Sequence, residues 1–258
     1  MNIEPNGTST QQEREAAFHN RAYAEHVRAP VWGYYDITEA SSTYFWSLIE
    51  QERPAQKRVL ELGCGVNAQA FRLARMGARV TGIDISPVAV ASVSETAKRE
   101  GLSDRAAFRV MDGESLEFGD ATFQLVCGSA IIHHLDPGSA YAEIARVLDP
   151  AGAAIFIEPL GHNPFINLYR RRTPDLRTAD EHPLLLPELG LAREHFSRVE
   201  ARFFHLTSLA AIPLRGRRLF PPLVRGLDAL DRRLFALAPA LRKHAWFTVF
   251  RLTGPMGG

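Results

Sequence analysis

The fold is decided by the stretch VLELGCG at residues 59–65, followed at residues 82–86 by GIDIS. Each stretch is a short apolar run that stops at a turn, which is typical of a buried strand in a parallel sheet. Gly63 and Gly65 let the chain turn tightly after the first strand and let a ligand approach the backbone. Asp84 closes the second strand, so a carboxylate is predicted near that turn.

Outward from this stretch, apolar strands alternate with helical segments. Strands are predicted over residues 59–62, 79–85, 106–111, 123–127 and 153–157, and helices over 68–76, 87–100 and 139–148. Two more strands, at 199–203 and 246–250, follow a break in the alternation. The pattern predicts an α/β, Rossmann-like, seven-stranded and mostly parallel sheet with a reversed final strand, helices on both faces and helical cap segments.

The chain divides into a predicted N-terminal helical lid at residues 1–57 and a core at 58–258, with insertions at 159–187 and 207–244. The lid contains a helix predicted at 39–51. A net charge of +1 gives nucleic acid no global attraction, so none is expected as a partner. Cys64 and Cys127 lie in apolar runs and are expected to be buried free thiols.

The N-terminus has no basic region followed by an apolar one, and no window is apolar enough to span a bilayer. A cytoplasmic location is therefore expected, and the oligomeric state is left open. No cluster of metal-ligating residues is visible, so no metal is predicted.

The glycine turn fits two cofactors. Gly63, Gly65 and Ala68 match G-x-G-x-x-G/A with Asp84 downstream, which is the dinucleotide fingerprint as well as a turn suited to S-adenosylmethionine. Glu61 favours the second, because a carboxylate there repels a pyrophosphate and attracts a sulfonium or an ammonium. Asp112 adds a second acid at the same edge of the sheet.

The motifs in order resemble those of class I S-adenosylmethionine-dependent methyltransferases, in particular the type 11 members that act on small molecules. The resemblance rests on ELGCG at 61–65, GIDIS at 82–86, MDGE at 111–114, FQLVCGSAIIHHL at 123–135 and IARVLDPAG at 144–152. It implies in-line methyl transfer to a small O, N, S or C nucleophile, which the leucine-rich second insertion suggests is lipophilic.

The resemblance also implies residue roles. Glu61, Gly63 and Gly65 would contact the methionine end of S-adenosyl-L-methionine, with Cys64 and Asn67 in the same loop. Asn67 replaces the third glycine of many members, and it tolerates a positive φ. The remaining cofactor contacts would be a ribose-binding Asp84, Ile85 against the adenine, Asp112 and Gly113 at the adenine edge, and Ser129 after the fourth strand.

Candidate catalytic residues are His133, His134 and Glu158. Adjacent residues leave a strand end in opposite directions, so at most one histidine is expected to face the pocket and line it or act as a base. Glu158 ends the fifth strand, where it either touches substrate or caps the following loop. Tyr34 and Tyr35 are candidate substrate contacts from the lid.

The segment 207–244 carries eight basic and two acidic residues and a leucine every three or four positions. It either packs on the sheet with solvated arginines, covers a hydrophobic substrate, or makes a peripheral contact with anionic lipid. Two alternatives to a methyltransferase therefore stay open. One is an NAD-dependent oxidoreductase, favoured by the glycine spacing, and the other is a non-enzymatic module that docks on membranes.

Overall fold

The computed structural model describes Ala17, Asn20, residues 37–173 and residues 182–256. One sheet of seven strands runs through it in the order β3-β2-β1-β4-β5-β7-β6. The strands are β1 (Arg58–Leu62), β2 (Arg79–Asp84), β3 (Ala106–Val110), β4 (Phe123–Ser129), β5 (Leu148–Pro159), β6 (Phe196–Phe204) and β7 (Phe247–Pro255). The predicted fold class, including the reversed final strand, is confirmed, because β7 pairs antiparallel with both β5 and β6.

Helices cover both faces of this sheet. They are α1 (Glu39–Gln51), α2 (Ala70–Arg75), α3 (Pro87–Arg99), α4 (Pro137–Val147), α5 (Pro164–Arg172), α6 (Leu186–Leu191) and α7 (Phe220–Leu237). Within the described ranges, 3₁₀ helices occupy Ile132–His134, Ala192–Glu194, Ser208–Leu214 and Pro239–His244. Helix α5 was not predicted; it lies in the first insertion.

Three helices begin at the same local signal, a short polar residue followed by proline. The side chains of Ser86, Asp136 and Asn163 accept hydrogen bonds from backbone N–H groups in the first turns of α3, α4 and α5. Proline at the next position has the backbone angle that a helix needs and lacks an N–H that would go unpaired. Helix starts are thus set by the sequence itself.

Alternate residues of the central strands feed two apolar clusters. Leu60 and Leu62 point to one face, where they join Phe156 and Tyr141, and Val59 points to the other. The chain reverses its direction of strand addition between β1 and β4, so a crevice is expected at the carboxyl ends of these two strands. The sheet therefore positions a ligand site beside the glycine turn.

The second insertion starts and ends at the same edge of the sheet as that crevice. Phe204, the last residue of β6, pairs with Phe247, which in turn pairs with Pro159 at the end of β5. Residues 205–246 therefore leave and return at the carboxyl edge of the sheet. Their longest element, α7, packs on the 3₁₀ helices before and after it and on β6.

The leucines of this segment do not form its buried face. Val224, Asp231 and Phe235 are the buried residues of α7, whereas of the seven leucines from Leu219 to Leu241 four are partly buried and three are exposed. A spacing of three and four residues keeps the leucines on one stripe, but that stripe lies at the border of the helix face that meets the protein. The expectation that the leucine stripe packs on the sheet therefore holds only for the partly buried leucines.

Candidate active site

The glycine turn after β1 is built as the sequence predicts. Gly63 and Gly65 both have positive φ, at 64° and 51°. A Cβ atom at Gly63 would lie 2.6 Å from Ile131 Cδ1, so this position needs glycine for packing as well as for its backbone angle. Asn67, in contrast, is exposed, and its φ is not positive. The ability of asparagine to adopt a positive φ is therefore not needed at this position.

Glu61 is buried beneath the turn and caps α2. Its two carboxylate oxygens accept hydrogen bonds from the backbone N–H groups of Gln69 at 2.7 Å and Ala70 at 2.8 Å. Burial raises the pKa of Glu61 to about 8 in the ligand-free protein. The start of this helix is where a dinucleotide pyrophosphate binds in related folds, and here a carboxylate of the protein already occupies it. The site therefore suits a cationic ligand.

Asp84 connects the two turns that frame the crevice. Its Oδ2 accepts from the Gly65 N–H at 2.9 Å, and its Oδ1 accepts from the Ser86 N–H at 2.8 Å. The neighbouring Ile85 is half-buried. The carboxylate thus lies beside the glycine turn, where the sequence places the ribose site.

The end of β3 approaches from the other side. Asp112 Oδ1 accepts from the Glu114 N–H at 2.9 Å, and Glu114 accepts from the Asp136 N–H at the start of α4. Burial also raises the pKa of Glu114. A Cβ atom at Gly113 would meet Leu135 at 3.0 Å, so the chain passes close to the turn after β4. The structure therefore brings the predicted adenine-binding residues to the same crevice as Asp84.

The turn after β4 is held by Glu158. Oε1 of this carboxylate accepts from the backbone N–H groups of Ile131 and Ile132, and Oε2 lies 2.7 Å from His133 Nδ1. Glu158 is buried, so of its two predicted roles the observed contacts are those of a loop cap. Ser129 is exposed at the end of β4.

The two histidines do not leave the strand in opposite directions. Residues 132–134 form a 3₁₀ helix, in which successive side chains fan out by about a third of a turn rather than alternate. The rings of His133 and His134 lie 4.2 Å apart at an interplanar angle of 37°. His133 is buried against Glu158, and His134 is half-buried at the outer side of the pair. The expectation of opposed side chains was wrong because the strand ends before the pair.

Both cysteines are buried free thiols, as expected. Burial raises the pKa of Cys64 and Cys127 far above the ordinary value, so neither supplies a thiolate nucleophile. Cys64 contributes its backbone N–H, which donates to the Ile83 carbonyl at 2.9 Å. Tyr34 and Tyr35 lie outside the described residues. The described ranges contain no group of three or more metal-ligating side chains.

Two polar residues of the site escaped sequence reasoning. The Oε1 atom of Gln69 is buried and has no hydrogen-bond partner, although the backbone of this residue is bonded to Glu61. A buried acceptor without a donor is costly, and an ammonium group would satisfy it. Asn20 accepts a hydrogen bond from the Ser86 hydroxyl at 2.5 Å, which brings this residue next to the turn after β2. Neither residue belongs to a motif that marks it in the sequence.

The turn geometry and the seven-stranded sheet are those of a Rossmann-like fold, and the buried Glu61 suits the cationic S-adenosylmethionine better than a pyrophosphate. A family model described as "Methyltransferase domain" matches residues 60–156. The matched stretch holds the glycine turn, Asp84 and the histidine pair, so this part of the chain is similar to a methyltransferase domain.

Individual relatives agree with this assignment. The chain is 28% identical to "Methyltransferase GfsG" of Streptomyces halstedii over 204 residues, which are 77% of this chain and 70% of the relative. It is 32% identical to a chloroplastic tocopherol O-methyltransferase of Arabidopsis thaliana over 110 residues, covering 42% of this chain and 32% of that protein. The second match therefore spans about a third of the relative's length.

The fold is shared with a solved structure of phosphoethanolamine N-methyltransferase 2 from Haemonchus contortus. The two superpose with a TM-score of 0.66 at 17% identity, over 96% of this chain and 61% of that one. At this identity the likeness concerns the fold alone. With 96% of the chain covered, it extends beyond the residues that the family model matches.

Proposed function

We propose that this protein transfers a methyl group from S-adenosylmethionine to a lipophilic small molecule. The observation that carries the proposal is the capping of α2 by Glu61, which places a buried carboxylate where a dinucleotide would need a phosphate site. A tocopherol O-methyltransferase is among the relatives, and its name specifies a lipophilic acceptor. The leucine-rich segment 207–244 leaves the sheet at the same edge as the crevice, which suits an acceptor of that kind.

The cofactor side of the site is assigned to the residues around the two turns. Glu61, Gly63 and Gly65 hold the methionine end, with Cys64 and Asn67 shaping the loop. Gln69 adds the buried acceptor that an ammonium group requires. The adenosine end is held by Asp84 at the ribose hydroxyls and by Ile85, Asp112 and Gly113 around the base, and Ser129 lies beside the cofactor after β4.

S-adenosylmethionine carries the methyl group on a positively charged sulfur. Once the methyl group is transferred, the sulfur is left as a neutral thioether. The protein's part is to align the acceptor with that methyl group, to exclude water and to take a proton if the acceptor carries one. We assign the proton to a ring nitrogen of His134, because His133 is buried and bonded to Glu158. Glu158 and His133 then act as positioning residues, and Tyr34 and Tyr35 are assigned to the acceptor side.

Titration calorimetry with S-adenosylhomocysteine tests the cofactor. Saturable binding is expected, with loss of at least about tenfold in affinity for Asp84→Ala, because charge-assisted hydrogen bonds of this kind contribute roughly 1.5–3 kcal/mol. The exposed Asp120→Ala serves as the matched control. Saturable binding of NADH in place of S-adenosylhomocysteine would overturn the assignment.

The reaction itself is tested with methyl-labelled S-adenosylmethionine and a set of phenolic, sterol and polyketide acceptors. The expected product gains one labelled methyl group, and His134→Gln slows its formation by roughly a hundredfold for an acceptor that loses a proton. Binding of S-adenosylhomocysteine by the same variant should be unchanged. Label transfer to water-soluble acceptors alone would contradict a lipophilic substrate.

A further inference from the structure

The segment 207–244 turns its two acidic residues inward. Asp231 is buried, and its carboxylate accepts from the backbone N–H groups of Leu206 and Thr207. Asp228 points to the buried His205, with 3.5 Å between Oδ1 and Nδ1. The outer surface of α7 and its flanking turns therefore presents basic side chains without acidic ones to balance them.

The arginines of this surface face outward. Five of them are exposed and form no ion pair with any residue that the structure describes, namely Arg217, Arg218, Arg225, Arg232 and Arg233. The chain as a whole carries a net charge of +1, so this concentration of positive charge is local. A local patch of one sign attracts a surface of the opposite sign.

Three leucines, two on α7 and one at its N-cap, are exposed in a line. Leu219, Leu230 and Leu237 are 70%, 43% and 85% exposed. A helix advances by about 100° per residue, so the eighteen steps from Leu219 to Leu237 make about five full turns and bring both side chains to the same side of the helix. Leu230 lies about 20° around the helix axis from that side. Large apolar side chains so exposed, and ordered along one side of a helix, indicate contact with an apolar phase.

Helix α5 adds a second element of the same kind. Phe165 is 74% exposed and Leu168 is 47% exposed, and Arg170, Arg171 and Arg172 follow them. The inner residue Ile166 packs on the apolar cluster that also receives Phe220 of α7. Both helices therefore contact the same apolar cluster, and both lie in segments that leave the sheet at the carboxyl edge, where the crevice opens.

We propose that the exposed sides of α7 and α5 dock on the surface of an anionic lipid bilayer. Arginines interleaved with protruding leucine and phenylalanine side chains fit a layer that has phosphate groups above an acyl region. A nucleic acid would use the arginines but leave the leucines in water. The inference goes beyond methyl transfer and does not depend on it, and it gives the enzyme a source of lipophilic acceptor next to its crevice.

Co-sedimentation with vesicles tests the docking. The full chain is expected to sediment with vesicles that contain phosphatidylglycerol and to bind pure phosphatidylcholine vesicles at least about tenfold more weakly, with binding that falls as salt rises. Leu219→Ser/Leu230→Ser/Leu237→Ser and Arg232→Glu/Arg233→Glu should each weaken binding by about tenfold or more. Both variants should keep their affinity for S-adenosylhomocysteine, which shows that they fold.

Matched variants elsewhere on the surface provide the controls. Val88, Val110 and Met256 are also exposed and apolar, and their triple serine variant should bind vesicles as the parent does. Arg79→Glu/Arg99→Glu makes the same change of charge at exposed arginines away from α7. Equal loss in controls and test variants would overturn the proposal, as would absence of binding to any vesicle. Binding of duplex DNA that the leucine variant retains, without vesicle binding, would assign the surface to a polyanion instead.

Discussion

The carboxylate of Glu158 and the Nδ1 atom of His133 lie 2.7 Å apart in the interior of the protein, at the junction of β5 and the turn after β4. The other oxygen of the same carboxylate accepts from two backbone N–H groups of that turn, so one buried side chain sets both the path of the loop and the orientation of the imidazole. Because the tilted His133 and His134 rings lie 4.2 Å apart, it also limits where His134 can lie.

Replacing this carboxylate by an amide is expected to lower turnover without lowering cofactor affinity. In Glu158→Gln the oxygen still accepts from the turn, but the NH₂ group cannot accept from His133 Nδ1–H. The imidazole then loses its fixed orientation, and kcat should fall by roughly tenfold to a hundredfold. Calorimetry with S-adenosylhomocysteine should show little change.

Glu188→Gln is the matched control, because Glu188 also caps a backbone N–H, that of Leu185, but at the start of α6. Its turnover should equal that of the parent protein. If Glu158→Gln lost cofactor affinity and turnover in the same proportion, the carboxylate would have a general structural role and the positioning role would be wrong.

A second prediction separates the two reasons for glycine in the first turn. Gly63 and Gly101 have nearly the same φ, 64° and 66°, but a Cβ atom at Gly101 would meet no neighbour within 4 Å. Gly101→Ala should therefore cost only the strain of the backbone angle, about 1 kcal/mol of unfolding free energy. Gly63→Ala adds a collision with Ile131 and should cost about 3 kcal/mol, measured by denaturant unfolding.

Shortening the neighbour checks the cause. If the collision is with Ile131, the combination Gly63→Ala/Ile131→Ala should be more stable than the two single changes predict by addition. Additive losses would show that Ile131 moves aside at no cost and that backbone strain accounts for the whole effect.

The sequence predicts the elements between residues 58 and 159 because local signals delimit them. Gly77 and Gly101 end helices, Pro87 begins one, and each apolar run between is a strand. The helix predicted from residue 139 begins two residues earlier, at Pro137, because Asp136 caps it. The side-chain contacts of the site are less accessible. The sequence places Glu61 two residues before the glycine turn. Its hydrogen bonds to the start of α2 could not be predicted, because they depend on where that helix lies relative to β1.

Features that depend on packing were missed or misjudged. The His133-His134 pair was predicted at a strand end. The sequence does not show that the Glu158 carboxylate accepts hydrogen bonds from the backbone of residues 131 and 132, where a 3₁₀ turn begins instead. The leucine pattern of α7 gives the period of a helix but not the side that meets the protein. That side contains the buried Asp231, whose charge would lead one to expect an exposed position.

The pKa of Glu61 gives a prediction about pH. In the ligand-free protein it is raised to about 8, from 4.5, because burial disfavours the charged form. Between these values the native state holds a proton that the unfolded chain has lost, so this group makes the free energy of unfolding fall as pH rises through that window. A cationic ligand favours the carboxylate, so binding of S-adenosylmethionine at pH 7 should release roughly one proton.

Calorimetry in buffers of different ionisation enthalpy measures that proton. The affinity for S-adenosylmethionine should increase with pH up to about 8, and in Glu61→Gln both the proton release and the increase should disappear. The exposed Glu95→Gln should behave as the parent protein does. Proton release that persists in Glu61→Gln would assign the linkage to another group.

Asp231 provides the last prediction, on the stability of the basic insertion. Its carboxylate accepts from the Leu206 and Thr207 N–H groups at 2.9 and 2.8 Å and from the Thr207 hydroxyl at 2.6 Å, all in a buried setting. An asparagine there keeps one oxygen and turns an NH₂ group toward donors, so Asp231→Asn should lower the unfolding free energy by about 3 kcal/mol. Asp228→Asn should cost about 1 kcal/mol, since the Asp228 contact to His205 is long and the side chain retains some solvent access. Denaturant unfolding measures both, and hydrogen exchange should show the extra opening of Asp231→Asn confined to residues 205–244. Equal losses in the two variants would mean that the helix is held by its apolar face alone and that the inward acid contributes nothing specific.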